Sequence, residues 1–333
     1  AVPADTLPTN LRHHLQTAFE QGQRPLFPAA LLTGYTQKVH TVTPLPPPSS
    51  AACLLTTAGF IEAVRVMGNG RLRAIVREDE QIRLVELGVG GVLREMGLFN
   101  GRPGYRFALF GDVLAVNPPD SGQLLLLDVA AQQPRKMQML ATEVFGDTAV
   151  FAASSHHLYR IAGNWIMRGA VQRGLYVEEA IATAHRRQTQ FWASPHGPTL
   201  AGYHRVLAEN RYFLLHDTTA YDVPIPALAP GESVLETAVA FGLASVAFWR
   251  KINRRGSLFT DLTLVNQHGR IEQRLSEAEE AFQPGLYPLA GLGVMGQRPL
   301  PPTLAPESIV QLHTHPQGII VQTTNQLFFL PNV

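Results

Sequence analysis

The stretch His313-Thr314-His315-Pro316 comes closest to metal chemistry. A catalytic zinc needs three protein ligands and an open position, and this stretch offers two imidazoles. The pair is expected at a strand end, just before a Gln317-Gly318 turn. His13-His14 and His156-His157 are adjacent residues whose side chains point apart, so neither pair chelates one ion by itself. Gly88-Val89-Gly90-Gly91 follows a strand as a phosphate loop does, but no Lys-Ser/Thr and no clear helix comes after it. Cys53, beside Ala51-Ala52 and Leu54, is expected to be a buried, inert thiol. Trp165, Trp192 and Trp249 sit within apolar strands and read as core. The basic cluster Arg250-Lys251-Ile252-Asn253-Arg254-Arg255 reads as a solvated turn between strands.

Composition bounds what these residues can serve. The chain has 333 residues, with 27 Lys plus Arg against 26 Asp plus Glu. That balance offers no long basic track to nucleic acid or to an anionic membrane, so neither is expected as a partner. Only Lys38, Lys136 and Lys251 are lysines, which codon bias explains. One cysteine excludes an internal disulfide framework and a cysteine-rich metal site. No apolar run approaches the ~20 residues of a membrane-spanning helix, and no signal peptide is visible at Ala1-Val2-Pro3-Ala4-Asp5. A cytoplasmic location is the expectation.

The elements that carry these residues are short strands. Residues 1–50 read as an arm: Asn10 caps a helix with Leu11, Leu15 and Phe19 on one stripe, and Pro44-Leu45-Pro46-Pro47-Pro48 is a stiff linker. From residue 51 to 333 the period is two, punctuated by turn residues. Ser276 to Phe282 is the one further helix candidate. The strands recur as a unit: strand, tight turn, strand, polar turn, and a third strand opening on a bulky apolar residue. The tight turns fall at Asn69-Gly70, Gly111-Asp112, Gly146-Asp147, Glu209-Asn210, Arg255-Gly256 and Gln317-Gly318. The third-strand markers are Ile82, Leu124, Leu158, Tyr221, Ile271 and Leu327. A fourth strand fits each gap, for example around Leu54-Leu55-Thr56-Thr57. Such a sheet exposes two faces and two edges and cannot stand alone, and radial stacking buries the faces. The expected fold is an all-β, six- or seven-bladed β-propeller, with an N-terminal strand pairing beside Leu327-Phe328-Phe329-Leu330 to close the ring. A seventh blade could include Leu31 to Thr43.

The repeat resembles the β-propeller superfamily over roughly residues 52–333. Neither the Gly-His…Trp-Asp signature of WD40 members nor the paired glycines of kelch members is present. Blades such as Gly70-Arg71-Leu72-Arg73-Ala74-Ile75-Val76-Arg77 and His157-Leu158-Tyr159-Arg160-Ile161 look similar to the propeller proteins that accompany MoxR-type ATPases and von Willebrand A-type proteins in bacterial multi-component systems. His313-Thr314-His315-Pro316 in turn resembles the strand that supplies two zinc ligands in JAMM-type metalloproteases. There the resemblance stops: Thr323 stands at the family's Ser and Gln326 at its Asp, so the third ligand is missing.

The functional expectation is a non-catalytic scaffold with no cofactor and no metal, docking other proteins on a propeller face. Asn69, Asp112, Asp147, Asn210, Arg254 and Gln317 are expected to cluster on that face. The alternative is a propeller enzyme with a central-channel site, a metal-dependent hydrolase using His313 and His315.

Overall fold

The computed structural model describes residues 52–278 and 309–331, apart from residues 68, 89–90, 132, 196, 208, 243–244 and 316–317. The chain divides into two units, Ala1–Pro46 and Pro47–Val333, and everything described belongs to the second. The expected N-terminal arm, its helix and the Leu31 to Thr43 strand lie outside the described residues.

All the regular structure among the described residues is β-strand. Four consecutive antiparallel strands make each of five sheets. Blade A holds β2 (Phe60–Val66), β3 (Leu72–Glu78), β4 (Gln81–Gly88) and β5 (Gly91–Asn100). Blade B holds β6 (Arg106–Phe110), β7 (Val113–Asn117), β8 (Gln123–Asp128) and β9 (Arg135–Ala141). Two short strands, β10 (Val144–Phe145) and β11 (Thr148–Ala149), form a separate hairpin. Blade C follows with β12 (Phe151–Ala153), β13 (Leu158–Ala162), β14 (Trp165–Gln172) and β15 (Leu175–Thr183). Blade D is β16 (Thr189–Ala193), β17 (Thr199–Val206), β18 (Glu209–His216) and β19 (Thr219–Val223). Blade E is β20 (Glu232–Phe241), β21 (Ser245–Arg254), β22 (Ser257–Asn266) and β23 (Ile271–Ala278).

The sixth sheet closes the ring. β24 (Ile309–His315), β25 (Gly318–Thr323) and β26 (Gln326–Pro331) supply three strands, and β1 (Ala52–Thr56) supplies the fourth. Ala52 pairs with Phe329 and Cys53 with Phe328. The two ends of the described chain thus share one sheet, blade F, and the seam is sealed by backbone hydrogen bonds. The chain is a six-bladed, all-β propeller.

Alternation within strands builds the core between blades, because each sheet has a neighbour on both faces. Ile61, Leu72 and Val85 of blade A pack with Ile320, Leu327 and Phe329 of blade F. Ile75, Ile82 and Leu84 present the other face of blade A to Leu109, Leu114 and Leu127 of blade B. The same two-sided use runs from B to C, C to D and D to E.

Several expectations are corrected. Residues 276–278 are the end of strand β23, not a helix. Cys53 is exposed, because β1 is the outer edge of its sheet. Trp165, at the start of β14, is 49 % exposed rather than core. Arg250 is buried inside blade E, because it lies within β21, where Val246 to Arg250 are buried on both faces, instead of in a turn. The repeat is read one strand out of register in three copies. Gly146-Asp147 is the turn of the extra hairpin, so Leu158 opens the second strand of its blade. Glu209-Asn210 and Arg255-Gly256 join second and third strands, so Tyr221 and Ile271 lie in fourth strands.

Candidate functional site

Consecutive antiparallel strands send alternate turns to opposite ends of a blade. The turns between first and second strands, and between third and fourth, therefore make one face of the disc, here the upper face. The turns between second and third strands, together with the blade-to-blade connections, make the lower face. Asn69 and Asp112 lie in first turns, on the upper face. Asp147, Asn210 and Arg254 lie on the lower face. Gln317 lies outside the described residues. The six residues expected to share a face are thus divided by the one-strand shift in register.

The first strand of every blade faces the axis. Together these strands line a channel of about 540 Å³. Its walls are mostly apolar, with Val64, Ala108, Ala153, Trp192 and Phe241 among them. The polar groups reaching it are Glu62, Arg65, Arg106, Gln190, Gln311 and His313. Glu62 accepts a hydrogen bond from Arg77 Nε at 2.7 Å and is thereby neutralised.

Arg65 sits near the upper end of β2 and is only 8 % exposed. Its Nη1 donates to Leu109 O of blade B at 3.0 Å and its Nη2 to Pro195 O of blade D at 3.3 Å. The guanidinium therefore crosses the channel. Around it the upper turns are linked in series: Gly111 N donates to Ser155 O at 2.7 Å, and Ser155 Oγ to Pro195 O at 2.9 Å. Burial lowers the Arg65 pKa to about 10, which still leaves it charged at neutral pH. Arg106 lies at the lower end of β6, donates to Ala149 O of the hairpin, and stands 5.0 Å over the Phe151 ring. Its pKa too is lowered by burial.

His313 and His315 are held by seam contacts. Gln322 Nε2 donates to Ile61 O of blade A at 2.9 Å, which fixes its Oε1 as an acceptor for His313 Nε2 at 2.9 Å. Burial lowers the His313 pKa to about 4, so the ring is neutral with its proton on Nε2. His315 Nε2 lies 2.8 Å from Gly70 O, and its ring meets Phe329 edge-on at 5.0 Å. His315 thus joins blade F to blade A directly, and His313 holds Gln322, which does the same through Ile61 O. Among the described residues no group of three or more His, Cys, Asp or Glu side chains is placed to hold a metal ion. No helix among them is long and apolar enough to cross a membrane.

Arginine has a structural task that sequence reasoning missed. Arg73 Nη1 donates to Gly111 O at 2.9 Å and Nη2 pairs with Asp112 at 2.8 Å, tying blade A to blade B. Arg94 makes a second A-to-B tie to the carbonyls of Val129 and Ala131. Arg160 joins C to B through Ala141 O, and Arg168 joins C to D through Asp217. Arg250 of blade E donates to Pro226 O, in the connection after blade D, at 3.3 Å. A planar fork of five donors can serve a carboxylate in its own blade and a carbonyl in the next. Lysine, with its three donors on a single nitrogen, cannot hold the two in the same planar geometry. The visible signal was an Arg inside alternating runs such as Leu72-Arg73-Ala74.

The hairpin β10–β11 is an addition to the four-strand pattern on the lower face. Phe145 packs edge-on to Tyr203 of blade D at 5.6 Å, with the Arg205 guanidinium 4.9 Å from its ring centre. Glu143 N donates to Ile161 O of blade C at 3.1 Å. The hairpin thus bridges C and D and leaves its tip, Gly146-Asp147-Thr148, exposed.

No protein-family model matches the sequence, and no curated protein matches it. Solved structures do. Kuenenia stuttgartiensis hydrazine synthase is 12 % identical, with a TM-score of 0.41, over 64 % of this chain and 64 % of that one. A quinonprotein alcohol dehydrogenase-like protein from Bacteroides thetaiotaomicron is 11 % identical, with a TM-score of 0.40, over 66 % of this chain and 56 % of that one. The β-propeller domain of Myceliophteria thermophila Cps50 (Swd1) is 9 % identical, with a TM-score of 0.42, over 85 % of this chain and 100 % of that one. The chain therefore spans less than two thirds of the length of the first two.

Proposed function

We propose that this propeller is a non-catalytic scaffold that docks partner proteins on its lower face, in the cytoplasm, within a bacterial multi-component system built around a MoxR-type ATPase. The observation that carries the reading is the hairpin β10–β11. It departs from the blade pattern on one face, is anchored by Phe145 against Tyr203, and holds Asp147 out at its tip. Additions to a rigid strand scaffold are where recognition is placed. Asn210 and Arg254 lie on the same face. Arg254 is held there by Glu232, at 2.5 Å. The resemblance of the blades to ATPase-associated propellers supplies the class of partner.

The test is quantitative capture of a MoxR-type ATPase by tagged chain, with one variant per face. Asp147→Arg combined with Arg254→Glu is expected to cut capture by about tenfold. Asn69→Arg, on the upper face, is expected to leave it unchanged. Equal loss in both variants, or loss in the upper-face variant alone, removes the lower face as the docking surface. No capture by the unaltered chain removes the ATPase as partner.

A further inference from the structure

Arg65 is an expensive residue for the place it occupies. A buried cation is ordinarily paired, because leaving it without a counter-charge forfeits solvation that hydrogen bonds to carbonyls only partly replace. The other buried arginines among the described residues, Arg73 and Arg250, have Glu86 and Asp261 against them. Arg77 and Arg160 each have a glutamate. Among the described residues no carboxylate pairs with Arg65, whose partners are the carbonyls of Leu109 and Pro195. Those carbonyls take two of the five N–H donors of a guanidinium. The side chain also lines the channel.

The surroundings are those of a ligand well. The volume, about 540 Å³, is within the ordinary range for small-molecule sites, which are mostly apolar with a few placed polar groups. Arg65, Leu109, Ser155 and Pro195 knit the upper end together across blades A, B, C and D. Toward the lower end stand Arg106 and Gln190. The other charges facing the channel do not satisfy Arg65: Glu62 is held by Arg77, Arg106 has the same sign, and His313 is neutral.

We infer that the central channel binds a small organic monocarboxylate, its carboxylate on Arg65 and its apolar body against Val64, Ala108, Trp192 and Phe241. One negative charge matches Arg65 at the upper end; Arg106, which also has no carboxylate against it among the described residues, stands at the lower end on Ala149 O and the Phe151 ring. The low-dielectric walls favour an apolar body over further charge, and they strengthen the ion pair that forms. A guanidinium offers a carboxylate two parallel hydrogen bonds, a geometry an ammonium cannot reproduce. This inference is independent of the docking face proposed above.

Benzoate, benzyl alcohol and inorganic phosphate are the probes, followed by calorimetry and by the fluorescence of Trp192 and Trp249, both of which line the channel. On the unaltered chain, benzoate is expected to bind at least about tenfold more tightly than the neutral alcohol or phosphate. Arg65→Met is expected to abolish the preference for benzoate over the alcohol, and Arg65→Lys to keep part of it. The probe comparison on the unaltered chain needs no variant, so it decides even if Arg65→Met does not fold. Three results overturn the inference: no saturable benzoate binding up to ~10 mM, alcohol or phosphate binding as tightly as benzoate, or a folded Arg65→Met that keeps the preference.

Discussion

Asp261→Ala is expected to cost the protein about 3–5 kcal/mol, the range for breaking a buried ion pair by removing one partner. Asp261 is fully buried on β22 and receives both Arg250, from β21, and Arg274, from β23. Arg250 Nε lies 3.0 Å from Asp261 Oδ2, and Arg274 Nε lies 3.1 Å from Oδ1. The two arginines differ in exposure, 3 % against 40 % for their side chains, and that difference decides what each change does. Without Asp261, Arg250 is left desolvated and uncompensated. Arg274 turns to water, so Arg274→Gln alone is expected to cost no more than about 1 kcal/mol. Arg250→Met combined with Asp261→Leu removes both buried charges together and is expected to recover most of the loss. Denaturant midpoints of the four proteins check the set. If Asp261→Ala stayed within about 0.5 kcal/mol of the unaltered protein, blade E would not be organised around this pair.

Acid is expected to weaken the protein through His313. Its pKa falls from the ordinary 6.5 to about 4 because the ring is buried, with the hydrogen bond to Gln322 opposing the shift. Below pH 6.5 the unfolded chain binds a proton there that the folded chain refuses. Stability from this residue is therefore complete above about 6.5 and is lost as pH falls toward 4. The loss is on the order of 3 kcal/mol. His204, stacked on Phe213 at 4.7 Å and hydrogen-bonded to Thr189 at 2.8 Å, is also lowered to about 4, mainly by burial, and adds in the same direction. His313→Gln keeps an amide donor toward Gln322 and removes the titration. Unfolding free energy measured from pH 7 to 4 should fall less steeply for that variant, by about one proton between the two pKa values. Identical slopes would mean that His313 is not neutral at the seam.

How much of this was legible follows from what each signal can encode. Alternation in Arg71 to Val76 and the run Leu124 to Leu127 mark strands, and Gly111-Asp112 marks a tight turn, because these are local properties of backbone and burial. The closing strand was legible too. Leu327 to Leu330 reads as a strand needing an N-terminal neighbour, and Ala52–Thr56, where Leu54-Leu55-Thr56 reads as a fourth strand, supplies it. Register among hairpins was not. A blade contains three similar turns, and nothing local distinguishes Glu209-Asn210, between second and third strands, from Gly111-Asp112, between first and second. The extra hairpin at residues 144–149 therefore passed for part of a blade. The resulting shift by one strand exchanged upper and lower faces for Asp147, Asn210 and Arg254.

The channel was harder still. Arg65 lies between Val64 and Val66 and reads as one polar residue in an alternating strand. Its importance comes from reaching Pro195 O, 130 positions away, across the axis. Likewise His313 and His315 carry the residue types of a metal site, while the groups that hold them, Gln322 and Gly70, come from β25 and from the first turn of blade A. Long-range partners of this kind follow from ring closure, and no local spacing announces them.

Ring closure by β1 underlies the channel, the two faces and the seam histidines alike. Hydrogen exchange read by mass spectrometry tests it directly. The amides of Ala52–Thr56 that pair with β26 should exchange far more slowly than those of a free peptide, and a chain starting after Thr56 should lose protection across β24 to β26. Exchange of Ala52–Thr56 at the rate of a free peptide, with β26 still protected, would contradict a ring sealed by that strand.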